Sequence, residues 1–172
     1  MDRDDELIAH WSELLAVDGA TPPPPLVARC AAVFGGEPDF VLCQRISDHG
    51  TRWRVVIVTA ALFGCGEAHS SHPSWDSNAY VHQLGHDDGA TYDCWAVPIR
   101  EVSRVGTLPI DDDGQHWRPV SSEQGRGVLT SWRVHLHDGT TVDLPAGELP
   151  TTIEVHDRAE EIAVSLLKSL AL

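Results

Sequence analysis

Trp53-Arg-Val-Val-Ile-Val-Thr-Ala-Ala-Leu-Phe63 is the longest apolar run in the chain, and its reading decides the fold. Val55, Val56, Ile57, Val58 and Thr59 are β-branched, so an extended backbone removes little of their already restricted χ1 freedom. No charge follows Arg54 until Glu67, which points to a central strand covered on both faces. A buried helix is the rival reading. The β-branching and the flanking turn residues, Asp48-His49-Gly50 before and Gly64 and Gly66 after, favour the strand.

On the N-terminal side, Phe40–Ile46 reads as a strand that Ser47-Asp48-His49-Gly50 turns into this run as an antiparallel hairpin. On the C-terminal side, residues 66–78 are polar and rich in breakers, which predicts a loop. Ala79–Leu84 is expected as a short strand and Tyr92–Ile99 as a longer one. Val102 and Val105 extend the apolar pattern weakly, as a fraying strand or a helical turn. A second hairpin spans Val128–Leu144 about Asp138-Gly139. Thr130, Trp132, Val134 and Leu136 point one way, and Ser131, Arg133, His135 and His137 the other.

Helices bracket the strands. Leu7, Trp11, Leu14 and Leu15 follow the i, i+4, i+7, i+8 stripe over residues 4–17. Asp18-Gly19 ends that helix, and Pro22–Pro25 form a stiff connector to a short helix over Leu26–Phe34, closed by Gly35-Gly36. At the far end, Asp157-Arg158-Ala159-Glu160 reads as a capping box with Asp157 as N-cap. Ile162, Ala163, Leu166, Leu167 and Leu170 then form a wide apolar face. The expected architecture is α+β and mainly antiparallel. A helical extension over residues 1–36 packs on a β domain over 37–172, the whole being one folding unit.

Composition limits the function classes. Twelve Lys+Arg against 26 Asp+Glu give a formal charge of −14, a field that repels nucleic acid and anionic membranes at long range. The opening Met-Asp-Arg-Asp-Asp-Glu is the opposite of a basic signal-peptide start, so a cytoplasmic protein is expected. The four cysteines, Cys30, Cys43, Cys65 and Cys94, form no C-x-x-C pair and sit among apolar neighbours, as buried free thiols do in a reducing compartment.

Catalytic and metal signatures are thin. There is no G-x-S-x-G, P-loop or G-x-G-x-x-G. Ten histidines include His69, His72, His82 and His86 in one region. His86-Asp87 is similar to the pair of HD phosphohydrolases, but glycines bracket it and no Glu follows His82 as in H-E-x-x-H. Asp111-Asp112-Asp113-Gly114 resembles part of a calcium loop, yet the register puts Pro109 and Val120 at ligand positions. His135 and His137 share a wet strand face, where polar residues need no metal to explain them. No catalytic residue, metal ligand or cofactor is assigned.

The order of elements resembles the pleckstrin-homology/GRAM-type fold, over about residues 38–172. The opening hairpin, Asp93-Cys94-Trp95-Ala96-Val97-Pro98-Ile99 followed by Val102, the Asp138-Gly139 hairpin and the capped final helix carry the resemblance. It implies a bent sandwich or barrel capped by the C-terminal helix, and a binding module rather than an enzyme. Lipid-binding members carry a basic motif on the first hairpin, and Arg45, Arg52 and Arg54 occupy comparable places, with Arg for Lys and an Asp48 in the loop. Three function classes result. The first is a non-catalytic module for an unidentified protein partner, with no nucleic-acid or stable membrane association. The second is an anionic-ligand or phosphoinositide binder using Arg45, Arg52 and Arg54. The third is a small metal-dependent hydrolase using the His69–Asp87 region. Trp75, in a polar loop, is the residue most like an exposed interface anchor; folding over the core is its alternative.

Overall fold

The computed structural model describes residues 3–47, 49–81, 89–108, 119–122, 125–128, 131–146 and 152–171. Asp48, the His82 and His86-Asp87 part of the histidine region, and the Asp111–Gly114 turn lie outside them. The protein is α+β with antiparallel sheets and a C-terminal helix. It divides into two compact units, Met1–Pro98 and Ile99–Leu172. The expected boundary at 36/37 falls inside the first.

The first unit holds helices α1 (Arg3–Leu14) and α2 (Pro24–Phe34) and a sheet of β1 (Phe40–Ser47), β2 (Thr51–Val58), β3 (Leu62–Ser70) and β4 (Thr91–Pro98). The strands run β1-β2-β3-β4 as an antiparallel meander. From Trp53 to Val58, β2 is buried on both faces, as its apolar run requires. Trp11, Leu15, Leu26, Val27, Cys30 and Phe34 from the helical segment meet Cys43, Trp53, Val55 and Ile57 from one sheet face in a single apolar cluster. Pro24 and Pro25 occupy the first helical positions of α2, where a missing N–H leaves no bond unmade.

The apolar run 53–63 is not one strand. It breaks after Val58, where the Thr59 hydroxyl accepts the N–H groups of Ala61 (3.3 Å) and Leu62 (3.0 Å) and turns the chain into β3. The expected loop over 66–78 is also corrected, because β3 runs to Ser70. Gly64 and Gly66 are packing positions, not breakers. A Cβ at Gly66 would lie 2.8 Å from Cys30 Sγ and 3.1 Å from Leu26 Cδ1, and one at Gly64 would run into the Trp95 carbonyl and lie 2.7 Å from Ala96 Cα on β4 and 3.0 Å from Phe34 Cζ. The bare backbone lets α2 lie down on the sheet. Ala79, expected in a strand, belongs to a helical turn, α3 (Ser77–Ala79), whose N–H the Asp76 carboxylate accepts at 2.8 Å.

In the second unit a 3-10 turn (Ile99–Glu101) leads into β5 (Val102–Thr107). A hairpin of β6 (Pro119–Ser122) and β7 (Gly125–Val128) precedes β8 (Trp132–Leu136) and β9 (Thr141–Leu144). The sheet order is β5-β8-β9, and β6 pairs with β7. A register shift between Val102 and Arg104 explains the weak pattern of β5. The extra residue brings Val102 and Val105, three apart in sequence, to the buried side together. The β8–β9 hairpin turns at Gly139, whose φ of 90° suits a residue without Cβ. Val128, expected in this hairpin, belongs to β7.

Helix α4 (Ile153–Leu170) packs on β5, β8 and β9 through His156, Ala159, Ile162, Ala163 and Leu166. It starts a turn earlier than the sequence predicts. Thr152 is the N-cap, its hydroxyl accepting the Val155 N–H at 3.3 Å, and Asp157 lies inside the helix. No helix among the described residues is long and apolar enough to cross a membrane.

Two stability effects follow. Ile57→Ala opens a cavity at a fully buried position and should cost about 2–5 kcal/mol; a denaturant midpoint change worth less than about 0.5 kcal/mol would contradict the packing of β2. Thr152→Ala should cost roughly 1 kcal/mol through the lost cap, while Asp157→Ala leaves the midpoint nearly unchanged. The reverse ranking would restore the later helix start.

Candidate functional site

Antiparallel register places each residue on the same face as the residue opposite it. Arg45 pairs with Trp53, while Gln44, Arg54, Glu67 and Asp93 align across the four strands. Arg45 therefore shares the helix-covered face with Trp53, and its guanidinium lies 5.4 Å from the Trp53 ring centroid, a cation–π distance. Arg52 and Arg54, two apart on β2, lie on the opposite face. The three arginines do not meet.

Arg52 and Arg54 converge instead on Glu67. Arg52 Nη2 lies 3.2 and 3.4 Å from the two carboxylate oxygens of Glu67, and Arg54 Nε lies 3.5 Å from Oε1. Arg52 and Glu67 are partly exposed, so their pair contributes at most modestly. Arg54 is only 8% exposed, and a buried guanidinium needs such a carboxylate to offset its lost hydration. Beside this trio, Arg52, Glu67, His69, Thr91, Tyr92 and Asp93 line much of a small cavity of about 130 Å³. Two carboxylates and one arginine among these residues make it a mixed polar pocket, not an anion trap.

Trp75 corrects the expectation of an exposed anchor, because it is 0% exposed. Its carbonyl accepts the Trp53 indole N–H at 2.8 Å, and its own N–H donates to the Thr51 hydroxyl at 3.0 Å. That hydroxyl in turn donates to the His72 carbonyl at 2.6 Å. The Trp75 ring lies 5.6 Å from that of Tyr92, within aromatic-pair range. Ser71, His72, Pro73 and Ser74 stay exposed around it, so one buried indole pins an otherwise wet turn to β2.

His69 and His72 are exposed. Among the described residues no group of three or more His, Cys, Asp or Glu is placed to hold a metal ion. On β8, Arg133 is held by Asp143 opposite it, at 2.6 and 2.9 Å, and this bidentate pair raises the guanidinium pKa above its ordinary value. At the hairpin tip the Thr140 N–H donates to the Asp138 carboxylate at 2.8 Å and holds that carboxyl below its usual range.

Sequence reasoning missed Glu67 as the centre of the arginine cluster. The signal was available in the spacing: with β3 extended from Leu62, Glu67 falls opposite Arg54. The chain matches no protein-family model, no curated protein and no solved structure.

Trp75→Ala should cost about 3–5 kcal/mol, as loss of a buried indole does. Urea midpoints check it. A cost below about 0.5 kcal/mol is what an exposed interface residue would give.

Proposed function

We propose that this chain is a non-catalytic binding module with a pleckstrin-homology-like arrangement, and that its ligand is a protein surface rather than an anionic lipid. The arrangement is supported by element order: a four-stranded antiparallel meander, a three-stranded antiparallel sheet and a C-terminal amphipathic helix. The two N-terminal helices and the β6–β7 hairpin are additions to that order.

The observation that carries the choice of ligand is the split of the arginines. A phosphate site needs cations that converge from one side. Arg45 lies on one sheet face, while Arg52 and Arg54 lie on the other, already engaged by Glu67. Each free basic residue near an anionic bilayer contributes about 1 kcal/mol, and paired ones contribute less. The formal charge of −14 opposes the approach, screened beyond about 8 Å at physiological salt.

With Trp75 buried, the surface assigned to the partner moves to the exposed apolar residues of α4. There Val164, Leu167 and Leu170 are exposed apolar residues near the C-terminal end. Glu154, Asp157, Glu160 and Glu161 outnumber Arg158 and Lys168 along the same helix. That combination complements an apolar surface rimmed by Lys or Arg.

Co-sedimentation with vesicles containing anionic lipid should show no saturable binding. Micromolar binding lost in Arg45→Ala/Arg52→Ala would transfer the function to the second class. In capture from the native host, Val164→Glu/Leu167→Glu should lose the protein partner that the wild type retains. Equal capture by both would remove α4 as the docking face.

A further inference from the structure

Cys30 on α2 and Cys94 on β4 are 64 residues apart in sequence, and their sulfurs lie 4.0 Å from each other. Position 66, on β3 directly opposite Cys94, is a glycine. A Cβ there would sit 2.8 Å from Cys30 Sγ and 3.7 Å from Cys94 Sγ, so the bare backbone leaves the space in which the two sulfurs converge. The remaining cysteines differ. Cys43 and Cys65 are buried, and burial pushes the Cys65 thiol up to about 12 and Cys43 higher still. Cys94 is half-buried on an outer strand of the sheet, with Cys30 buried behind it.

We propose that Cys94 and Cys30 form a redox-active dithiol, Cys94 attacking and Cys30 resolving, whose oxidant is a small-molecule disulfide. The Cys94 thiolate attacks one sulfur of RS–SR, forming Cys94–S–SR and expelling RS⁻, which takes up the Cys94 proton. Cys30 then attacks the Cys94 sulfur, forming the Cys30–Cys94 bond and expelling the second RS⁻, which takes up the Cys30 proton. Two protein thiols are oxidised and RS–SR is reduced to two RSH. The sulfurs close from 4.0 Å to about 2.0 Å, tying α2 covalently to β4.

The division of roles follows from exposure and local charge. Only the half-buried sulfur admits a small disulfide. The contact with the Cys30 thiol lowers the Cys94 pKa, Arg29 assisting it against burial and the Asp93 charge, whereas Cys30 is raised by that same contact and by burial. The thiolate fraction of Cys94, and with it the attack rate, rises with pH through its lowered pKa.

The native protein would be incubated with oxidised glutathione, free thiols alkylated, and peptides mapped by mass spectrometry. The expected product carries a Cys30–Cys94 disulfide, with Cys43 and Cys65 alkylated. Cys30→Ser should stop at glutathione on Cys94, and Cys94→Ser should leave every remaining thiol free. Four free thiols, a link through Cys43 or Cys65, or oxidation of Cys30 in Cys94→Ser would overturn the proposal. Circular dichroism checks that each variant folds. If neither does, the wild-type map decides alone, since it either contains the Cys30–Cys94 link or does not.

Discussion

The contact between α2 and the sheet exists because two alternate positions of β3 carry no side chain. At Gly66, Cys30 and Leu26 of the helix occupy the room that a side chain would take, while at Gly64 it is taken by the β4 backbone at Trp95 and Ala96 and then by Phe34. Interiors are packed too densely for an extra methyl to be absorbed without displacement. With the helix lifted, Trp11 would lose Phe34, whose ring lies 6.3 Å away, and Trp53, Val55 and Ile57 would lose their cover. Two glycines that read as chain breakers are thus what allows the first unit a core.

That inversion marks where the sequence was legible and where it was not. Strand β2, both hairpins, the two N-terminal helices and α4 could be read from periodicity, because each has one face that must be apolar. The break at Thr59 could not, because both sides of the turn are apolar and the turn is closed by the Thr59 hydroxyl and by the Thr59 N–H donating to the Leu62 carbonyl. Glycine in a strand and glycine in a loop have the same local pattern, and only the partner helix distinguishes them. Strand β5 was faint because a bulge sets its two buried valines three residues apart. The start of α4 was misplaced because Asp157 and Glu160 imitate a capping box while Thr152 does the capping.

The candidate site was less legible than the fold. Arg45, Arg52 and Arg54 look like one basic patch in sequence, but whether they share a face depends on register. Register sends Arg45 to the side of Trp53 and the other two toward Glu67. Trp75 shows the same limitation in reverse. Its neighbours are polar because they are wet, yet the indole turns inward and its backbone completes the hydrogen bonds of Trp53 and Thr51. A polar setting in sequence says little about one large side chain that can reach the core alone.

The tryptophans are unevenly shared. Of the six, Trp11, Trp53, Trp75 and Trp95 belong to the first unit, the first three wholly shielded, and Trp117 and Trp132 to the second. Indole emission is therefore a reporter weighted toward the first unit. Far-ultraviolet dichroism, by contrast, also registers the 18-residue α4 of the second. The two signals together form a built-in pair of probes for cooperativity. Coincident melting curves would describe one all-or-none transition, and separated ones would give each unit its own stability.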